Sequence, residues 1–166
     1  CLYLAIDYIK SNTELQNLDF EILQGTDGLP GSPQVADKIL QRIKESDIFI
    51  GDISVANNQS KFRKILSNIG LVKHKVFQNN NVILEMGHAY GTLGEERLIG
   101  VLNSKYGSPH FDAQNLPFDI RHLKFPIEYN FSKIDDKEIA QKQLVEKLVT
   151  AIKDTTHFVL NNQKEK

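Results

Sequence analysis

The stretch NNNVILEMGHAYGTLGEERLIGVLN, Asn79–Asn103, decides how the rest of the chain is read. From Asn81 to Leu93, Val82, Met86, Ala89 and Leu93 recur at helical spacing, flanked by Ile83 and Tyr90, and predict an amphipathic helix. A glycine break follows. Leu98 to Leu102 is then a fully apolar run, as expected of a strand covered on both faces. A second stripe on the helix, Asn81, Glu85, His88 and Thr92, is polar throughout. Two readings of Glu85 stand at this point. It is either one member of a solvated face, paired with His88 at i, i+3, or a carboxylate kept for chemistry. Gly87 and Gly91 each cost a helix roughly 1 kcal/mol relative to Ala. Their presence predicts that another backbone or a ligand comes close.

Working outward, the same two patterns recur. Ile48-Phe49-Ile50 is a brief apolar run ending at Gly51-Asp52, a second strand. Ser32 and Pro33 read as the N-cap and first position of a helix whose buried stripe is Val35, Ala36, Ile39, Leu40 and Ile43. Leu2, Ala5, Ile6 and Ile9 mark a first helix, and Phe20 to Leu23 a short strand. Phe125 to Tyr129 is a further strand. A last helix is expected from about Asp136 to Leu160, with Ile139, Leu144, Leu148, Ile152 and Val159 on its inner face. Residues 54 to 79 form a long, locally basic excursion, with a short helix possible in KILSNIGLVKH. Residues 104 to 119 form another loop. Alternating helices and short apolar strands predict an α/β fold with a mainly parallel sheet. One domain is expected over 1–160, followed by a polar tail at 161–166.

Composition narrows the class. The 166 residues are 40% hydrophobic and 25% charged, with a net charge of -1. That fits a globular domain with a core, and gives no global basic bias toward nucleic acid. The one cysteine, Cys1, leaves no internal disulfide or Cys-based metal site and fits a cytoplasmic setting. No apolar run approaches the ~20 residues of a membrane span, so no membrane partner is expected. The chain opens CLYLAIDYIK, already helical and without Met, which suggests a fragment lacking its true N-terminus.

In open α/β sheets ligands bind beyond the carboxyl ends of the strands. That rule gathers GTDGLPGS, DISVANNQ, the start of the Asn80 helix and NSKYGSPHF. Glu85 would sit beside this crevice. A carboxylate there can accept hydrogen bonds from ribose hydroxyls and stabilise an oxocarbenium-like centre, or attack the anomeric carbon itself. Asp52 either orients a ribose or caps a turn. Gly25, Gly28 and Gly31 make a flexible loop that, with Ser32, either covers a nucleotide or is a simple connection. His88 either tunes Glu85 and touches a base or is a satisfied polar-face histidine. Arg121 faces a phosphate or pairs with Asp119. His74, His110, His122 and His157 lack metal-ligand spacing, so no metal is expected.

SDIFIGDISVANN (46–58), the Asn79–Asn103 stretch and LPFDIRHLKFPIEY (116–129) together resemble bacterial TIR-like domains, over about Leu23 to Tyr129. The shared features are a strand ending in Asp, an Asn-Val-apolar-apolar-Glu-apolar-Gly helix and Leu-Gly-x-Glu-Arg before a strand. The Leu-Pro-Phe-Asp-apolar-Arg run is typical of one branch. The resemblance implies a flavodoxin-like three-layer sandwich whose usual first strand lies outside this chain. It implies cleavage of NAD+ between nicotinamide and ribose, with no cofactor, often in antiphage defence. Glu85 falls on the catalytic carboxylate of that family; Asp52, Asn81, His88, Gly28, Ser32 and Arg121, drawn from the crevice reading above, are the substrate-binding candidates beside it. Activity through homo-oligomer contacts is also implied. Where the family often has Pro-Asn-Pro-Asn, this chain has Gln78-Asn79-Asn80-Asn81. Nucleoside 2-deoxyribosyltransferases are similar in fold and place a Glu in a comparable helix, so deoxyribosyl transfer is a second reading. A non-catalytic nucleotide-binding or scaffold domain is a third.

Overall fold

The computed structural model describes residues 1–24, 35–54, 78–106, 126–130 and 137–164. Among them are four α-helices and three strands: α1 (Leu2–Asn12), α2 (Val35–Glu45), β1 (Phe49–Asp52), α3 (Asn80–Leu93), β2 (Leu98–Asn103), β3 (Ile127–Tyr129) and α4 (Lys137–Lys164). The strands form one parallel sheet in the order β1-β2-β3. Phe49 stands opposite Leu98, and Val101 opposite Ile127. The fold is therefore mixed α/β around a small parallel sheet.

The period-2 alternation of the strands sorts side chains between two apolar clusters. Ile48, Ile50, Ile99, Val101, Ile127 and Tyr129 turn toward α1 and α4, where Ala5, Ile6, Ile9, Leu144, Leu148 and Ile152 complete the larger core. Phe49, Ile53, Leu98 and Leu102 turn toward α3, meeting Met86, Val82 and Ile83. Strands this apolar are stable only with both faces covered, and helices do cover both. Gly51 serves this arrangement. A Cβ there would lie 2.9 Å from Cε1 of Phe49 and 3.5 Å from Cγ1 of Val82, so the missing side chain lets the Phe49 ring and the first turn of α3 close over β1.

Helix ends follow local chemistry. Asn79 caps α3, its side chain accepting from the Asn81 N–H at 3.0 Å. Gly94 ends the helix at φ 87°, in the left-handed region that favours glycine, and its N–H reaches the Tyr90 carbonyl. Thr13 closes α1 by donating to Ile9 O at 2.9 Å and accepting from Leu15 N.

Two local expectations are corrected. Phe20 to Leu23 is not a strand. Its alternation is real, since Phe20 and Ile22 pack against the larger core while Leu23 is exposed. No described strand pairs with it, and the Phe20 carbonyl takes Lys10 Nζ at 3.4 Å instead. In α4, Ile139 is 61% exposed, and Ala140 turns inward ahead of Leu144 and Leu148. The i, i+4 row starting at 140 fits the groove beside α1, and a row starting one residue earlier points some 100° away. The helix at Val35 is present, but its expected cap at Ser32–Pro33 and the short helix in KILSNIGLVKH lie outside the described residues. No helix among the described residues is long and apolar enough to cross a membrane.

Candidate functional site

All three strands end in polar residues, and these meet. Asp52 closes β1. Its Oδ1 accepts from the Ser54 N–H at 2.9 Å and also from the Ser54 hydroxyl. That hydroxyl oxygen in turn accepts the Asn103 N–H at 2.7 Å, tying the end of β2 to the turn after β1. Asn103 is buried and its Oδ1 holds the Lys105 N–H at 3.1 Å. Ser104 donates to the Tyr129 carbonyl at 3.2 Å, and the Tyr129 hydroxyl donates to Asp52 Oδ2 at 3.3 Å. The carboxyl edge of the sheet is thus a polar network through β1, β2 and β3 with an exposed carboxylate at its centre.

Glu85 approaches this edge from α3. The 3.5 Å approach at Gly51 puts Val82 level with the end of β1. Glu85 lies one turn further along the helix. Helical side chains lean toward the N-terminus, which in α3 is the end nearer that edge. Glu85 is half-buried, and among the described residues it has no hydrogen-bond or ion-pair partner. Burial without a compensating partner pushes its carboxyl above the usual range, because desolvation penalises the charged form.

The polar stripe is therefore not uniformly solvated. Asn81 and Thr92 at its ends are exposed, whereas Glu85 and His88 in the middle are half-buried. The cause is α2. His88 Nε2 lies 3.1 Å from the Leu40 carbonyl. A carbonyl only accepts, so Nε2 carries the proton and the imidazole joins α3 to α2. Of the two sequence readings of His88, the satisfied histidine describes this contact. It does not hydrogen-bond Glu85. Asp52 likewise caps the Ser54 turn, although its second oxygen is held by a residue far along the chain. Among the described residues, Gly87 and Gly91 have no neighbour within 4 Å of where a Cβ would stand, so none of these residues makes the close approach expected of them.

Gly28, Ser32 and Arg121 lie outside the described residues, as do Asp119 and the basic run from Lys61 to Lys75. Sequence reading passed over Ser54, Asn103 and Tyr129. Two signals were present: Asp-x-Ser is an Asx-turn pattern, and Asn103 and Tyr129 are the last residues of strands expected to end at the crevice. Comparison with protein-family models, curated proteins and solved structures found no match to this chain.

Proposed function

We propose that this chain is an NAD+ glycohydrolase domain of the TIR-like type, with a flavodoxin-like arrangement around the parallel sheet. One observation carries the reading. Glu85 is a half-buried carboxylate, unpartnered among the described residues, on the helix that follows β1 and beside the carboxyl edge. A structural carboxylate held out of water normally acquires a donor. One kept without a donor is suited to a ligand that brings its own hydroxyls or positive charge.

In this mechanism Glu85 accepts hydrogen bonds from the nicotinamide ribose. Its negative charge stabilises the oxocarbenium-like centre as the bond from C1′ to nicotinamide breaks. Nicotinamide departs as a neutral base, and water adds to C1′ and releases a proton. Partial desolvation strengthens the interaction between carboxylate and sugar cation. Asp52 and the polar edge contact the sugar hydroxyls. A cytoplasmic defence role and self-association accompany this proposal and rest on the sequence resemblance alone.

The test is nicotinamide release from NAD+, followed by chromatography, for the wild-type chain and Glu85→Gln. Loss of at least about a hundredfold in kcat is expected for Glu85→Gln, the scale seen when one charge-stabilising group is removed. Equal turnover by the two proteins defeats the assignment. A covalent deoxyribosyl adduct on Glu85, formed from a deoxynucleoside, would replace hydrolysis by deoxyribosyl transfer.

A further inference from the structure

Helix α2 leads into β1 and α3 into β2, and these two strands are parallel. The helices pack against each other and run the same way, with their first turns toward the carboxyl edge of the sheet. The contact between His88 Nε2 and the Leu40 carbonyl, at 3.1 Å, sets their register. Burial then falls along both helices in step. On α2, Ile43 is buried, Leu40 half-buried and Ala36 exposed, although all three share the stripe expected to be covered. On α3, Ala89 is fully buried, Glu85 half-buried and Asn81 exposed, at successive i, i+4 positions of one row. Counting back from the contact, Ala36 is one turn before Leu40 and Glu85 one turn before His88. The pair is therefore closed at His88 and opens toward the edge, with Ala36 and Glu85 level on the open side.

We infer that the first turn of α2 forms the second wall of the Glu85 site, and that Ala36 determines the size of the group admitted beside the carboxylate. This inference deepens the ribosyl reading above and rests on it. The other members of the α2 stripe, Val35, Ile39, Leu40 and Ile43, are all large. A side chain of that size at position 36 would fill the gap, as packed helix pairs normally do. The methyl group leaves it open. A sugar ring suits such a gap chemically. Its hydroxyls donate to Glu85, and its C–H surface lies against the methyl group. A larger side chain excludes the ring and takes the water from Glu85 as well, so both binding and the titration of the acid respond to the same change.

The experiment compares the full chain with Ala36→Leu and Ala36→Ser. Leucine is nearly as good a helix former as alanine, so the Tm of Ala36→Leu is expected to be unchanged or higher. Its kcat/KM for nicotinamide release from NAD+ is expected to fall about tenfold or more, chiefly through KM, because the ground state and the transition state lose the same space. Ala36→Ser, which stays small, is expected to keep kcat/KM within about twofold of the wild type. The second readout needs no turnover. Carboxyl-carbon NMR of Glu85 in Ala36→Leu is expected to show its titration moving further upward, since added burial penalises the charged form. The other ionisable groups in the neighbouring turns are His88, Asp37, Lys38 and, on β1, Asp52. The substitution alters none of them, so a movement reports burial.

An unchanged Glu85 titration together with unchanged kinetics in Ala36→Leu overturns the wall. A fall in kcat with a lower Tm, shared by Ala36→Ser, reduces position 36 to packing and overturns the size role. The two proposals separate. Nicotinamide release that needs Glu85 and ignores Ala36→Leu keeps the function and removes the wall. A Glu85 titration that follows residue 36, without nicotinamide release, keeps the wall and removes the function.

Discussion

Two glutamates on opposite sides of the sheet show how differently its faces are used. Glu14 lies where the chain leaves α1 and meets α4. Its Oε1 lies 3.2 Å from Lys153 Nζ and 3.4 Å from His157 Nε2. A backbone hydrogen bond at Glu14, then Lys153, holds its carboxyl below the usual range. Glu85, on the α3 side, has neither among the described residues, and burial moves it the other way. On the first side an apolar core is closed by α1 and α4, and its acid is satisfied at the rim. On the second, the described buried cluster is only Ile53, Met86 and Leu102, and its acid waits for a partner. One face satisfies its acid, and the other leaves its acid half-buried and without a partner among the described residues.

The largest test of this contrast is in the scaffold. Leu148 is 3% exposed between α1 and the sheet. Leu148→Ala is expected to cost about 3 kcal/mol, roughly 6–12 °C in Tm. An effect below about 1 kcal/mol by chemical denaturation would deny that this face carries the stability. Met86→Ala, in the smaller cluster, is expected to cost less than Leu148→Ala, and a larger loss would invert the comparison.

Next in size is Gly87→Ala. With no described residue within 4 Å of where a Cβ would stand, the methyl group removes the helix penalty of glycine and stabilises α3 by roughly 0.5–1 kcal/mol. A lower Tm would show that something occupies that face in solution.

Glu85→Gln addresses the buried acid directly. A carboxyl raised in the folded state holds its proton longer than in the unfolded chain. Stability then falls as pH rises through the window from the unfolded to the folded value, and the penalty is complete above it. The Gln variant is expected to match or slightly exceed the wild-type Tm at pH 7, and the gain should vanish near pH 4, below the unfolded Glu value of about 4.3. A variant less stable at pH 7 would mean that the carboxylate has a structural partner.

Smallest is Glu14→Gln. Here the folded value is lowered, so the stabilisation is present above the unfolded pKa and is lost as pH falls through the folded one. A slight drop in Tm is expected at pH 7, at the edge of detection for an exposed pair, fading in acid and in high salt. A drop comparable to that of Leu148→Ala would make the ion pair part of the core.

How much was legible in the sequence differs by element. The Asn79–Asn103 stretch announced α3 and β2 because its apolar spacing switches from helical to continuous, and both elements stand where that pattern put them. Phe20 to Leu23 shows the same kind of signal failing. Alternation records which side chains are buried, and it does not supply the neighbouring strand that turns extended backbone into sheet. Ile139 failed for a related reason, since periodicity fixes a stripe only to within a residue and α1 chose the row at Ala140. Glu85 was readable as a polar-face acid, but its degree of burial was not.

The amino-acid order by itself determined the mixed α/β class, most element positions, the glycine break after α3 and the candidacy of Glu85 and Asp52. These are local matters of period, capping and residue type. Only the tertiary structure decided that Glu85 would be half-buried, that His88 on α3 would meet the Leu40 carbonyl on α2, and that Tyr129 would reach Asp52 from 77 residues away. Such contacts depend on where parallel strands and covering helices bring distant residues together, and no spacing along the chain encodes that distance.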